Sequence, residues 1–180
     1  MTTTLCMNPG PVEFDSSVLS AMSHVGISHV DSSFLNIFGE CLEMFRSVCL
    51  ASPTSQPVIL SGSGTLGWEI VSCNFITKGD KVLVINTGYF GDAFGEALGL
   101  NGAVVTHLRA SVGDVPTMKS LKDILSKEKF KMVTITHVDT STGVLTDLQK
   151  ITSIIRKAQK DTVVVVDSVC ALGGEGNHVF

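Results

Sequence analysis

Polar residues that could hold an anion or a charged ring follow several apolar runs in this sequence. Ser61-Gly-Ser-Gly-Thr65 is a loop that leads into a helical pattern, where free backbone N–H groups and the helix dipole favour an anion such as phosphate. Asp167 directly follows Thr162-Val-Val-Val-Val, which has the composition of a strand buried on both faces. A carboxylate there needs a cationic or hydrogen-bonding partner, because an unpaired buried charge is strongly unfavourable. Together these residues predict a ligand site at strand carboxyl ends.

Two further polar loops follow predicted strands. Asn86-Thr-Gly-Tyr-Phe-Gly91 places Phe90 just past a strand, where its ring could lie on a planar ligand. His137-Val-Asp-Thr-Ser-Thr-Gly143 has more hydroxyl and carboxylate groups than a simple connection needs. Purely structural explanations stay open: glycines for tight turns, Phe90 in the core at a helix start, an Asx turn, and Asp167 as the cap of the following turn.

The four groups of residues together match the needs of one cofactor, pyridoxal 5′-phosphate. They supply an anion-binding site, an aromatic face, hydroxyl donors and a carboxylate along one edge of one predicted sheet. The cofactor needs a site for its phosphate, a flat contact for its ring, and a carboxylate that keeps the pyridine nitrogen protonated so that the ring withdraws electrons. The sequence therefore indicates a pyridoxal-phosphate site.

The elements that position these residues alternate between strands and helices. The predicted strands span residues 57–60, 81–86, 103–108, 130–137 and 162–167. Helices are predicted over residues 65–76, from about Phe90, after a cap at Thr117, and from the capping box Thr146-Asp-Leu-Gln149. The last helix is expected to bury Leu148, Ile151, Ile155 and Ala158. This order predicts an α/β fold with a largely parallel sheet.

A long helix with one apolar side precedes this series. Its apolar residues are Phe34, Phe38, Cys41, Leu42, Phe45, Val48 and Cys49. Such a stripe packs either into the core or against another subunit, and core is the default expectation.

Length and composition exclude several classes of protein. The 180 residues suffice for one domain with a core, and a formal charge of −4 without a basic cluster argues against nucleic acid as the partner. We find no apolar run long enough to span a membrane and no secretory signal at the first residues. Five cysteines without a Cys-x-x-Cys pair predict reduced thiols and an intracellular protein.

The chain resembles the class V aminotransferases, and most closely the alanine–glyoxylate (serine–pyruvate) aminotransferases among them. The resemblance spans nearly the whole sequence and rests on several motifs in order. These are Asn8-Pro-Gly-Pro11, Ser61-Gly-Ser-Gly64 with Trp68-Glu69, Asn86-Thr-Gly88, Thr136-His137 with Thr140-Ser-Thr-Gly-Val-Leu145, and Val166-Asp-Ser-Val169 with Leu172-Gly-Gly174. Motifs in this order are more specific than any one alone.

The resemblance implies a role for particular residues. Ser63, Gly64 and Thr65 would hold the phosphate of pyridoxal 5′-phosphate, and Phe90 would stack on the ring where relatives often carry tryptophan. Thr140 would bond the ring hydroxyl, Asp167 would pair with the pyridine nitrogen, and Gly10 would contact substrate.

The resemblance also implies an architecture and partners. The fold would be the three-layer, mostly parallel α/β large domain of the type I pyridoxal-phosphate transferases, incomplete at the C-terminus. Residues 1–50 would form an N-terminal arm and long helix with a dimer contact, and residues 51–180 a partial cofactor-binding domain. The substrates would be small amino acids and 2-oxo acids, the full-length protein a homodimer, and its compartment the peroxisome or the cytoplasm.

One departure from the family pattern concerns the Schiff-base lysine. In the family this lysine follows the aspartate by a few dozen residues, within a Ser-Gln-Lys-type motif, whereas this sequence ends thirteen residues after Asp167. Lys150, Lys157 and Lys160 precede the aspartate and do not match that motif. We therefore expect a fragment of an aminotransferase, and no transamination by residues 1–180 alone.

Two alternatives to this function stay open at this point. The pattern Gly62-x-Gly64-x-x-Gly67 after a predicted strand fits the dinucleotide fingerprint of an NAD(P)-binding Rossmann-type domain. That fingerprint also needs an acidic residue at the end of the second strand, where this chain has Asn86-Thr87, and Asp80 is at the other end. The second alternative is a non-catalytic truncated subunit that binds a full-length partner through the helix 34–48.

Overall fold

The computed structural model describes residues 4–175, which divide into two compact units. The first unit extends to Ile59, and the second begins at Leu60. The first contains two helices, α1 (Ser16–Ala21) and α2 (Ser32–Val48). Both begin with an Asp-x-Ser sequence, and the carboxylates of Asp15 and Asp31 accept the backbone N–H two residues on.

The apolar stripe of α2 is half-buried in this structure. Phe34, Phe38, Cys41, Leu42, Phe45 and Cys49 are each partly covered, whereas Val48 is exposed. Phe34 and Phe38 stack on each other with ring centroids 5.8 Å apart. No residue of α2 is buried, so the default expectation of a core position is wrong for this helix. The sequence predicted the helical spacing of the apolar residues correctly, but it did not predict that their side chains are only half-buried.

The second unit is built on a parallel sheet of four strands. The four strands are β1 (Lys81–Asn86), β2 (Val104–Arg109), β3 (Met132–Thr136) and β6 (Val163–Asp167). Two short strands, β4 (Val138–Asp139) and β5 (Val144–Leu145), lie between β3 and β6 in the sequence. The order across the sheet is β2-β1-β3-β6, and β4 and β5 pair separately as an antiparallel ladder. Thr136 lies beside Asp167 in the register, so the ends of β3 and β6 meet at one edge.

Helices cover both faces of this sheet. They are α3 (Gly64–Phe75), α4 (Tyr89–Leu100), α5 (Met118–Lys127) and α6 (Leu148–Ala158). On one face, Trp68, Phe94 and Leu98 of α3 and α4 pack with Val82, Val84 and Met132. On the other face, Leu121, Leu125, Leu148, Ile151 and Ile155 of α5 and α6 pack with Leu83, Ile85, Val133 and Ile135. Alternate residues of each strand point to opposite faces, so both sides are apolar and buried. The predicted α/β fold with a mostly parallel sheet is confirmed.

Three local predictions were wrong. Residues 57–60 are not a strand: Val58, Ile59 and Leu60 are exposed and pair with no other strand among residues 4–175. Asp147, not Thr146, caps α6 by accepting the Lys150 N–H, because the buried Thr146 hydroxyl donates to the Thr136 carbonyl.

The third wrong prediction concerns the last turn of α6. Ala158 is exposed, whereas the three earlier apolar residues of the predicted face are buried as expected. The helix ends at this residue.

Within residues 4–175, no helix combines the length and apolar character that a membrane crossing needs.

Candidate functional site

Helix α3 begins with an N-terminus that suits an anion. Ser63 is the N-cap residue, yet its hydroxyl does not cap the backbone and instead lies 2.6 Å from the hydroxyl of Thr65. Both side chains are exposed, and two hydroxyls and the first N–H groups of the helix therefore face open space. Gly62 cannot carry a side chain without moving Leu66, because an added Cβ would collide with the Leu66 side chain.

Asp167 ends β6 beside this helix. Its Oδ2 accepts a hydrogen bond from the indole N–H of Trp68 at 2.9 Å, and its Oδ1 accepts the backbone N–H of Val169 at 3.1 Å. Within residues 4–175, no lysine, arginine or histidine forms an ion pair with it. The carboxylate is thus oriented by two neutral donors while its charge is not balanced by a cation of the described chain.

One cavity of about 190 Å³ contains both features. Five of the predicted cofactor residues line it, namely Ser63, Gly64, Thr65, Phe90 and Asp167. The remaining lining residues are Trp68, Thr136, Val138, Val169 and Cys170. One wall carries a helix N-terminus with two hydroxyls, and another carries a carboxylate. This pairing suits a small ring with a phosphate and a cationic nitrogen.

Phe90 combines the two roles considered from the sequence. Its ring is half-buried and lines the cavity, and it also packs against Trp68 at a tilt of 60° with centroids 6.4 Å apart. Trp68 in turn stacks on Phe94 at 5.5 Å. The aromatic face of the cavity is therefore part of the core, which limits the motion of the rings.

Asp139 holds the start of α4 from the short strand β4. This carboxylate is fully buried, and its Oδ2 accepts the backbone N–H groups of Phe90 and Gly91 at 3.2 and 3.4 Å. Its Oδ1 accepts the Ser141 N–H and hydroxyl at 3.0 and 2.6 Å. The N-cap of α4 is Gly88, which has no side chain to cap the helix, so Asp139 performs that function from 49 residues away.

The loop after β4 contacts the α4 start in two further places. Ser141 accepts the Tyr89 N–H at 2.9 Å, and the Thr142 hydroxyl donates to the Thr87 carbonyl at 2.9 Å. Thr140 directly precedes Ser141. It is half-buried, and its hydroxyl has no hydrogen-bond partner in the described part of the chain. Thr140 is not among the residues that line the cavity. Gly10 is an exposed residue of the first unit.

A second polar cluster supports the end of β1. The Asn86 amide nitrogen donates to Asp92 Oδ1 at 2.8 Å and to His107 Nδ1 at 3.0 Å, and its oxygen accepts the Gly88 N–H. Arg109 pairs with Asp92 at 2.6 Å, and this hydrogen bond lowers the pKa of Asp92. Burial, together with the nearby Arg109 charge, lowers the pKa of His107. His107 is therefore held as the neutral acceptor that Asn86 requires.

A third cluster links the ends of β3 and β6. His137 Nδ1 lies 3.3 Å from the Ser168 hydroxyl, and its backbone N–H donates to the Asp167 carbonyl at 2.9 Å. Burial lowers the pKa of His137, although the charge of Glu175 opposes that effect. These bonds hold the strand ends, and with them Asp167, in a fixed place.

Trp68 and Asp139 are site residues whose roles the sequence reasoning missed. In the sequence, Trp68 is only one residue of a motif, although it is the one tryptophan of the chain and follows Thr65 by less than one helical turn. In the sequence, Asp139 is only one of several polar residues in a row. Asp139 lies beside the start of α4, whose N-cap is a glycine, only because the fold brings the two segments together. The local sequence around Asp139 therefore does not indicate its role as a cap. Among residues 4–175, no cluster of three or more His, Cys, Asp or Glu side chains could hold a metal ion.

Comparison with known proteins finds one matching family profile and several related aminotransferases. The sequence profile described as aminotransferase class-V matches residues 14–178. Alanine–glyoxylate aminotransferase 1 of Saccharomyces cerevisiae is 39% identical over 173 residues, which are 93% of this chain and 45% of that protein.

Solved structures agree with the sequence comparison. Ureidoglycine–glyoxylate aminotransferase from Bacillus subtilis matches with a TM-score of 0.88 and 32% identity, over 98% of this chain and 45% of that one. Alanine–glyoxylate aminotransferase from Nostoc sp. matches with a TM-score of 0.85 and 31% identity, over 93% of this chain and 44% of that one. The chain thus spans less than half the length of each of these relatives.

Proposed function

This chain belongs to the class-V aminotransferase family, and we propose that it binds pyridoxal 5′-phosphate in the cavity between helix α3 and the ends of β3 and β6. Enzymes of this family generally depend on that cofactor. The observation that supports the proposal is the charge arrangement of the cavity. One wall carries a helix N-terminus with two exposed hydroxyls, and another carries a carboxylate that no described cation balances.

In this proposal the predicted cofactor residues each have a defined task, and Asp139 supports one of them. The N–H groups at the start of α3, with the Ser63 and Thr65 hydroxyls, hold the phosphate. Asp167 holds a proton on the pyridine nitrogen, because an uncompensated carboxylate favours a cation beside it. Phe90 covers one face of the ring, and Asp139 fixes Phe90 through its backbone N–H. Thr140 does not line the cavity, but its hydroxyl has no partner among residues 4–175, and the family resemblance assigns it the bond to the ring hydroxyl.

The bound ring supplies an electron sink for amino-group chemistry. The residues of this chain orient the ring, keep its nitrogen protonated and exclude water from one of its faces. The proposed reaction of the whole protein is transfer of an amino group from a small amino acid, alanine or serine, to a 2-oxo acid, glyoxylate or pyruvate. The names of the relatives in Saccharomyces cerevisiae and Nostoc sp. support the alanine–glyoxylate pair.

The dinucleotide-binding alternative is not favoured. The residues before Gly62 form no strand, so the strand–turn–helix context that the fingerprint needs is missing from the described structure. The missing strand does not count against pyridoxal phosphate, because that proposal rests on the helix N-terminus and Asp167.

We further propose that residues 1–50 act in a homodimer contact. The support is the stripe of α2, whose apolar side chains stay only half-covered within the described chain. Phe38→Asp should lower the molar mass measured by light scattering from that of a dimer toward that of a monomer. The exposed position Ser47 on the same helix offers a control, Ser47→Asp, which should leave the mass unchanged.

Cofactor binding can be measured through the single tryptophan, which lines the proposed site. Pyridoxal 5′-phosphate should quench its fluorescence in a saturable way, and pyridoxamine 5′-phosphate, which has no aldehyde to react with surface lysines, should compete. Asp167→Ala should weaken binding about 10–100-fold, since bonds to charged groups are worth about 1.5–3 kcal/mol. Asp147→Ala, which removes an exposed helix cap elsewhere, serves as the control.

Two results would contradict the proposal. One is quenching that never saturates. The other is equal affinity of the wild type and Asp167→Ala for both compounds. The substrate assignment is tested separately with the natural gene product, by comparing alanine and serine as donors against glyoxylate and pyruvate as acceptors.

A further inference from the structure

The indole of Trp68 and the carboxylate of Asp167 form a hydrogen-bonded pair inside the cavity. Nε1 lies 2.9 Å from Oδ2, although the residues are 99 positions apart. Trp68 is 9% exposed, stacks on Phe94 and lies tilted against Phe90. The indole N–H thus enters the site from a side chain that the core holds rigidly.

From this geometry we infer that Trp68 is a positioning residue: it orients Asp167 toward the ring nitrogen of the cofactor while leaving the negative charge of the carboxylate available. The inference rests on the proposed function and extends it to a residue to which that function gives no task. Trp68 acts through Asp167 and does not itself exchange a proton.

The chemistry of the donor explains why an indole suits this place. A lysine or arginine at the same position would orient the carboxylate but would also neutralise it, and so remove the reason for the ring nitrogen to stay protonated. The indole N–H is a neutral donor that has no acceptor function and does not titrate. With the Val169 N–H on Oδ1, it fixes the carboxylate plane through both oxygens.

The position of Trp68 on α3 adds a geometric role. The helix that begins at the proposed phosphate site carries Trp68 about one turn after its first residue, Gly64. One rigid element therefore sets both the place of the phosphate and the place of the carboxylate. A ligand that spans the two is selected by its phosphate-to-nitrogen distance.

A role in packing alone predicts a different outcome. Phenylalanine at this position keeps an aromatic ring against Phe94 but cannot donate a hydrogen bond. If Trp68 only fills space, Trp68→Phe should affect every ligand of the cavity alike. If it orients Asp167, the loss should depend on whether the ligand has a ring nitrogen.

The first test needs no cofactor and uses the full 180-residue chain. Because the chain has one tryptophan, its ¹H–¹⁵N spectrum should contain a single indole N–H signal. Asp167→Ala removes the acceptor and should move that signal upfield in the proton dimension, whereas Asp147→Ala should leave it in place. An unmoved signal in Asp167→Ala would overturn the inference, and this test does not depend on the folding of a Trp68 variant.

The second test compares pyridoxal 5′-phosphate with an analogue whose ring nitrogen is replaced by carbon, by equilibrium dialysis. Trp68→Phe should bind pyridoxal 5′-phosphate about tenfold more weakly than wild type, as expected for loss of one bond to a charged group. Its affinity for the carbon analogue should stay within about twofold of wild type, since that ligand makes no use of the oriented carboxylate. In Asp167→Ala, the further change Trp68→Phe should have little added effect, because the two residues act as a unit.

The outcomes separate the two proposals. Failure of the wild type to bind pyridoxal 5′-phosphate would overturn the proposed function and with it the role of Trp68. Binding by the wild type with an equal loss for both ligands in Trp68→Phe would overturn the inference alone. A loss confined to the ligand with a ring nitrogen would support both.

Discussion

The carboxylate of Asp139 accepts the backbone N–H of Phe90 at 3.2 Å and so caps helix α4 from a different part of the chain. The aromatic ring that lines the proposed cofactor cavity is therefore fixed at its backbone by a buried side chain. The negative charge also lies at the positive end of the helix dipole, which stabilises it where no described cation pairs with it.

Asp139→Ala should destabilise the fold substantially. It leaves the N–H groups of the half-buried Phe90 and the buried Gly91 without their acceptor, and each such loss costs about 1–3 kcal/mol. It also removes the bonds to Ser141, which is exposed and can be hydrated instead. Asp139→Asn, which keeps one carbonyl oxygen, should recover part of the loss. Urea unfolding followed by circular dichroism measures both.

The matched control for this change is Asp147→Ala. Asp147 is also a helix cap, but it is exposed, so water can replace it and the expected cost is about 1 kcal/mol or less. A smaller loss in Asp139→Ala than in Asp147→Ala would show that the capping of α4 is not what holds this loop.

Gly88→Ala tests how closely the same loop approaches α4. A Cβ on Gly88 would lie 2.6 Å from the Asp139 carboxyl carbon and would also meet the Ser141 hydroxyl. The loop must move, at a cost of about 1–3 kcal/mol, and the displaced Phe90 should weaken cofactor binding. Thermal unfolding and the fluorescence titration measure these two effects.

Gly99→Ala in the same helix is the control for Gly88→Ala. A Cβ there has no atom within 4 Å, so the change should be neutral or stabilise the helix by up to about 1 kcal/mol. Equal behaviour of the two variants would mean that the crowding at Gly88 has no energetic consequence.

Much of the fold was predictable because its signals are local. The run Lys81–Asn86 alternates between two buried faces and forms the strand that its composition predicted. Thr117 caps α5 as its position before the helix suggested. Residues 57–60 have equally apolar composition but no neighbour in the sheet, and a strand exists only through its partners.

Part of the candidate site was predictable because ligands of open α/β folds bind at the carboxyl ends of the parallel strands. Ser63, Phe90 and Asp167 line one cavity because parallel strands and their following helices bring such residues to one edge. The bonds of Trp68 to Asp167 and of Asp139 to Phe90 were not predictable. Each joins residues 49 or more positions apart, and no local spacing carries that information.

Thr140 and Thr142 lie in the same loop, and substitutions of the two residues should separate an effect on cofactor binding from an effect on stability. The Thr140 hydroxyl has no partner among residues 4–175, so Thr140→Val should leave stability unchanged within about 0.5 kcal/mol. The same change should weaken binding of pyridoxal 5′-phosphate about three- to tenfold, as the loss of one hydrogen bond to the ring hydroxyl predicts.

Thr142→Val should show the reverse pattern. Its hydroxyl donates to the Thr87 carbonyl at 2.9 Å, so the variant should lose about 1 kcal/mol of stability. Its effect on affinity should follow only from that loss. If Thr140→Val destabilises the chain without changing affinity for the cofactor, the role proposed for Thr140 is wrong.

The stability of the chain should fall as the pH drops through the ordinary histidine range. Burial lowers the pKa of His107 and of His137 below the value of 6.5 for an unperturbed histidine. The unfolded chain therefore binds protons at a pH where the folded chain does not, and the free energy of unfolding decreases from about pH 7 downward until the folded-state pKa values are reached.

Protonation of His107 would also remove the acceptor that Asn86 uses, and so loosen the support of the α4 start. His107→Gln should flatten part of this dependence, and His107→Gln with His137→Gln should flatten more of it, in urea titrations between pH 5 and 7.5. A free energy of unfolding that is constant or rises toward pH 5 in the wild type would contradict this account of both histidines.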